Sequence, residues 1–142
     1  MLTCFISYGQ PDKQFAIKLK EELLSRGISC WIYGLDSTPG EITWNEISRK
    51  RRESEKMILL CSLRSLIRDG VKKEIEEQID ENENKIISIS LDNDWKDAGF
   101  EVKRGGNDLK PFLLRRNYAD FSRDSEFTAS LTHLMKDLKV DT

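Results

Sequence analysis

Apolar residues in this chain come in two rhythms that take turns along its length, and that alternation is what most narrows the folds open to it. Four short runs are apolar nearly throughout: Leu2-Thr3-Cys4-Phe5-Ile6-Ser7, Ile28-Ser29-Cys30-Trp31-Ile32, Lys56-Met57-Ile58-Leu59-Leu60-Cys61 and Lys85-Ile86-Ile87-Ser88-Ile89-Ser90-Leu91. They have the length and density of strands covered on both faces. Between them the rhythm changes. Phe15, Ala16, Leu19 and Leu23 recur at helical spacing, and Arg26-Gly27 follows as a basic last turn and a left-handed cap. Trp44 to Arg52 reads as a helix carrying Trp44 and Ile47. Val71, Ile75 and Ile79, at i, i+4 and i+8, mark a highly charged helix. Phe127, Leu131, Leu134 and Leu138 stripe a last one. Asp36-Ser37-Thr38-Pro39-Gly40 has turn composition. Ser62 to Gly70 reads as a connection with a helical turn around Leu63–Ile67. Asp92 to Lys110 reads as irregular, and a short edge strand is expected around Asn117–Phe121.

Strands separated by helices pair in parallel, because a parallel neighbour needs a crossover connection. The expected fold is therefore α/β: a flavodoxin-like five-stranded parallel sheet of order 2-1-3-4-5 with helices on both faces. With no repeat, low-complexity tract or linker, one domain is expected over residues 1–142. Ligands of such sheets bind outside the carboxyl ends of the strands, at the point where strand order reverses. That places Ser7-Tyr8-Gly9, Tyr33 to Gly40 and Ser62 to Glu74 along one edge.

Composition removes other classes. Lys and Arg number 23 and Asp and Glu 25, a net charge of −2, which is a poor match for a nucleic-acid backbone. No apolar run approaches the ~18 residues of a membrane span. Met1 leads straight into an apolar strand-like segment with no basic leader. A cytoplasmic protein with no nucleic-acid and no membrane partner is the expectation. Cys4, Cys30 and Cys61 form no close pair, each lies in an apolar run, and His133 is far from them, so reduced, buried thiols and no metal site are expected. Arg49-Lys50-Arg51-Arg52 spread around a helix axis and read as a solvated face, with a subunit contact as the alternative. Ser62 and Ser65 lack the histidine and acid of a nucleophilic triad.

The edge segments resemble a known family. Phe5-Ile6-Ser7-Tyr8 is similar to the first box of Toll/interleukin-1 receptor (TIR) domains. Cys30-Trp31-Ile32-Tyr33-Gly34-Leu35-Asp36-Ser37-Thr38-Pro39-Gly40 resembles their second strand and the Pro-Gly loop after it. Ile58-Leu59-Leu60-Cys61-Ser62, Ser65 and Val71-Lys72-Lys73-Glu74-Ile75 resemble the third strand and the helix bearing the family glutamate. Ala119-Asp120-Phe121 resembles the C-terminal segment. The pieces fall in family order from about Leu2 to Leu138, in a style closest to bacterial members.

The resemblance implies one of two functions. The first is cleavage of the nicotinamide–ribose bond of NAD+ on self-assembly, an NADase or cyclase activity in bacterial defence signalling. NAD+ is then substrate, with no resident cofactor. The second is a non-catalytic TIR–TIR interaction module, an adaptor or virulence mimic. Other TIR domains are implied partners in either case, as a homo-oligomer or filament when active. By register Glu74 is the implied catalytic residue, and Ser7, Tyr8, Gly9, Tyr33, Asp36, Gly40, Trp44 and Ser62 are candidates for substrate contact. Helical periodicity by itself does not choose between Glu74 and Glu76, which flank the apolar stripe at similar angles. Two positions depart from the family: Gly70 stands where an aromatic residue is frequent, and Gly9-Gln10 where some enzymatic members carry arginine.

Overall fold

A computed structural model of the chain describes residues 2–33 and 44–139. The elements follow the two rhythms. In chain order they are β1 (Thr3–Ser7), α1 (Lys13–Leu24), β2 (Ser29–Ile32), α2 (Trp44–Glu53), β3 (Lys56–Cys61), α3 (Leu63–Leu66), α4 (Asp69–Asn82), β4 (Ile86–Ser90), β5 (Lys103–Arg104), β6 (Asn107–Asp108), α5 (Lys110–Arg115), β7 (Asn117–Asp120) and α6 (Phe127–Lys139). Five strands form one sheet in the order β2-β1-β3-β4-β7, every neighbour parallel. This is the expected topology. β5 and β6 form a separate antiparallel hairpin inside the stretch read as irregular.

Strand parity divides the core in two. Cys4, Ile6, Ile58, Leu60, Ile87 and Ile89 face α1 and α6, where Leu19, Leu23, Leu131 and Leu134 meet them. The alternate residues Phe5, Met57, Leu59, Cys61 and Ile86 face Leu66, Val71, Ile75, Trp95 and Leu113. Burying one such aliphatic side chain contributes about 1.5–3 kcal/mol, so both faces of each central strand stabilise it. Trp95, fully buried, donates its indole N–H to Ser90 Oγ at 3.1 Å.

α1 ends as its sequence suggests. Gly27 has φ +85°, and Ile28 N–H returns to the Leu23 carbonyl, which closes the last turn. The three cysteines are free and buried. One expectation is corrected. Arg51, read as part of a solvated run, is only 1 % exposed, wedged between α2 and α4. The reason is the helical angle of that residue: Arg49 and Arg52 point to water while Arg51 meets Gln78, Glu77 and Glu81.

Candidate functional site

β1 ends at the carboxyl edge of the sheet in Ser7, and α4 passes beside it. Val71 and Ile75 anchor α4 in the core, and this docking turns the Glu74 flank inward, toward β1 and α2. Glu74 is 7 % exposed and accepts a hydrogen bond from Ser7 Oγ at 2.7 Å. Glu76, its counterpart on the other flank, stays near the surface, held by Arg104 at 3.2 Å and Asn107 at 2.8 Å on the β5–β6 hairpin. The packing of α4 therefore distinguishes two carboxylates that periodicity could not.

Burial pushes the Glu74 carboxyl up to about 8; the Ser7 hydrogen bond and the Arg51 charge pull the other way, and Glu77 adds to the rise. The carboxyl borders a cavity of about 290 Å³ that is also lined by Tyr8, Tyr33, Trp44, Ile47 and Val71, with Gly9, Gln10, Arg68 and Gly70. Trp44 is fixed from behind: its indole N–H donates to Glu77 Oε1 at 3.3 Å, and Lys73 Nζ lies 4.1 Å from the ring centroid. Tyr8 donates its hydroxyl to the Tyr33 carbonyl at 2.5 Å and so ties the ends of β1 and β2 together. Among the described residues none outside the local backbone lies within 4 Å of where a Gly70 side chain would begin, so they leave that side of the cavity open.

Of the residues singled out from sequence, Tyr8, Gly9, Tyr33, Trp44 and Glu74 line this one cavity, and Ser7 touches Glu74 from below. Asp36 and Gly40 lie outside the described residues. Ser62 sits elsewhere. Its fully buried hydroxyl donates to Asp12 Oδ2 at 2.5 Å and accepts the Ser65 N–H at 3.1 Å, which caps α3. Ser65 Oγ also donates to Asp12, and Arg64 Nε pairs with its other oxygen at 2.6 Å. Gly9 N–H donates to Ser65 Oγ at 2.9 Å. That N–H is thus already bonded, and Gly9 meets the cavity through its lack of a side chain.

Sequence reasoning missed Asp12, Arg51 and Arg68. Asp12 was not singled out, and the available signal was an acidic residue directly after Pro11 at the start of the first helix. Arg51 was hidden inside a run of like charges. Arg68 stood in a connection with no pattern of its own. Chemically, the cavity joins one buried carboxyl, an aromatic wall and one cation at the mouth. That set suits a ligand with a flat ring, a centre that becomes positive and an anionic tail. Among the described residues no group of three or more His, Cys, Asp or Glu side chains could hold a metal ion, and no helix is long and apolar enough to cross a membrane.

Comparison with known proteins extends the picture. The family model described as TIR domain matches residues 4–135. A search of curated proteins finds no match. Among solved structures, the TIR domain of the Toll-related receptor TRR-2 from Hydra magnipapillata superposes with a TM-score of 0.67 at 19% identity, covering 96% of this chain and 97% of that one. A prokaryotic SEFIR domain gives 0.66 at 17% identity, over 98% and 93%. The TIR domains of the activated Roq1 resistosome, which directly recognises the pathogen effector XopQ, give 0.58 at 14% identity, over 99% and 85%. At these identities the likeness is one of fold.

Proposed function

The chain belongs to the TIR domain family, and from that membership we propose that it is an NAD+ glycohydrolase that acts when assembled with other TIR domains, in a bacterial type of defence signalling. The observation that carries the reading is Glu74, a carboxyl buried against Ser7 at the edge of a cavity walled by Tyr8, Tyr33 and Trp44.

The chemistry asks for little more. When the bond between ribose C1′ and the nicotinamide nitrogen breaks, its electron pair leaves with nicotinamide, which departs neutral and needs no general acid. Positive charge develops on the ribose, in an oxocarbenium-like state. A carboxylate held beside that ring stabilises the charge, and burial strengthens the interaction. Water then adds to C1′ and loses a proton to give ADP-ribose; an acceptor within the adenine half gives the cyclic product instead. Before substrate binds, Glu74 is largely protonated near neutrality, since burial holds it at about 8. A cationic nicotinamide ring beside it favours the carboxylate, so substrate binding and proton release are coupled. Trp44 offers the ring a face where Gly70 leaves space. Asp36 and Gly40 remain proposed contacts to the ribose or the adenine half.

Concentrated protein, both free and clustered on beads, is incubated with NAD+ and nicotinamide release is followed. Wild type is expected to release it, and Glu74→Gln to slow release by about 100-fold or more. An inert wild type in both formats, or a Glu74→Gln variant at full rate, would sink the proposal. The second reading, a non-catalytic interaction module, draws on the open wall at Gly70. An inert wild type that still binds itself or another TIR domain would support it.

A further inference from the structure

We propose that Arg68 is the specificity residue of the Glu74 cavity and takes the diphosphate of a dinucleotide substrate; this rests on the glycohydrolase reading above. Arg68 is the only Lys or Arg among the described residues lining the cavity. The neighbouring cations are engaged. Lys73 lies over Trp44, Arg51 is buried against Gln78, Glu77 and Glu81, and Arg64 holds Asp12. The Arg68 side chain is exposed, and its guanidinium has no hydrogen-bond or ion-pair partner among the described residues.

Its stem is placed by packing. Arg68 Cγ stands 3.1 Å from where a Cβ on Gly9 would be, so the missing side chain at Gly9 lets the arginine lie across the first loop at the cavity mouth. Arg68 is the N-cap of α4 and Glu74 lies six residues on, which separates them by about 9 Å along the helix axis. The two charges divide a dinucleotide between them. Glu74 suits the end where positive charge develops, and once ionised beside the cationic ring it repels a diphosphate. The anionic tail must therefore leave toward the mouth, where Arg68 waits. A guanidinium presents paired N–H donors that match phosphate oxygens, a geometry an ammonium lacks. A cation at this point comes from the end of α3 rather than from the first box, where Gly9-Gln10 supplies none.

The test separates tail from ring. ADP-ribose carries the diphosphate and no nicotinamide; nicotinamide riboside carries the ring and no phosphate. Arg68→Ala is expected to weaken ADP-ribose binding, measured by titration calorimetry, by about 10–100-fold. It should raise KM for NAD+ by a similar factor, keep kcat within about twofold and leave kcat/KM for nicotinamide riboside unchanged. Arg68→Lys should recover part of the loss, because charge returns without the fork. Arg68 is exposed, so an unchanged melting temperature is expected. Unaltered ADP-ribose affinity in Arg68→Ala, or an equal loss with nicotinamide riboside, overturns the assignment. ADP-ribose binding is read without turnover: an inert wild type that binds ADP-ribose through Arg68 removes the glycohydrolase reading and keeps this one. An active wild type indifferent to Arg68 does the reverse.

Discussion

Glu74 ionises against its surroundings, and that has a measurable consequence for folding. Burial raises its carboxyl from 4.5 to about 8. Below the lower value the group is neutral in folded and unfolded chains alike, and its ionisation takes nothing from stability. As pH rises from there, the unfolded chain ionises freely while the folded one resists, so stability falls until about pH 8 and then levels. Glu74→Gln keeps an acceptor for Ser7 and removes the titration. It should match wild type at about pH 4 and exceed it by a few kcal/mol at about pH 9. Denaturant unfolding at both pH values reads the difference, and a gap that ignores pH would contradict it. Legibility at this scale was uneven. Ser7, Tyr8 and Trp44 could be marked from sequence, whereas the choice between Glu74 and Glu76 needed either the family register or the direction in which α4 docks.

At the scale of elements, one buried carboxylate welds the first loop to α3. Asp12 receives the hydroxyls of Ser62, which caps α3, and of Ser65 within it, and Ser65 in turn receives Gly9 N–H. The approach is close: a Cβ on Gly9 would stand 2.9 Å from both Ser65 Cα and Ser65 Oγ. Because backbone must move, Gly9→Ala should cost about 1–3 kcal/mol in urea unfolding and also displace the Arg68 stem. Unchanged stability would show that the loop and α3 are not locked together. The major elements were legible because each buries a regular stripe. The β5–β6 hairpin and α5 were not. Two-residue strands carry no periodicity, and this hairpin is fixed by Arg104 and Asn107 reaching Glu76 on α4, partners distant in sequence.

For the whole molecule, the near balance of 23 basic and 25 acidic residues imposes little net repulsion on self-association. Leu24, Ile67 and Leu114 are large apolar side chains left exposed. If assembly drives the proposed activity, nicotinamide release per protomer should climb with protein concentration and fall on dilution. A strictly constant specific activity from dilute to concentrated solution, with oligomeric state followed by light scattering, would refute assembly control.

The sequence by itself determined the layers of this protein. Continuous apolar runs and period-3.6 stripes are local properties of a chain, so they marked the strands and helices, and the rules of parallel crossover then gave the order of the sheet. Only the tertiary structure decided which charges ended inside. Whether Arg51, Asp12 and Glu74 face the interior or water depends on the angle at which one helix meets another. That angle is set by contacts between residues far apart in the chain, and no single helix encodes it.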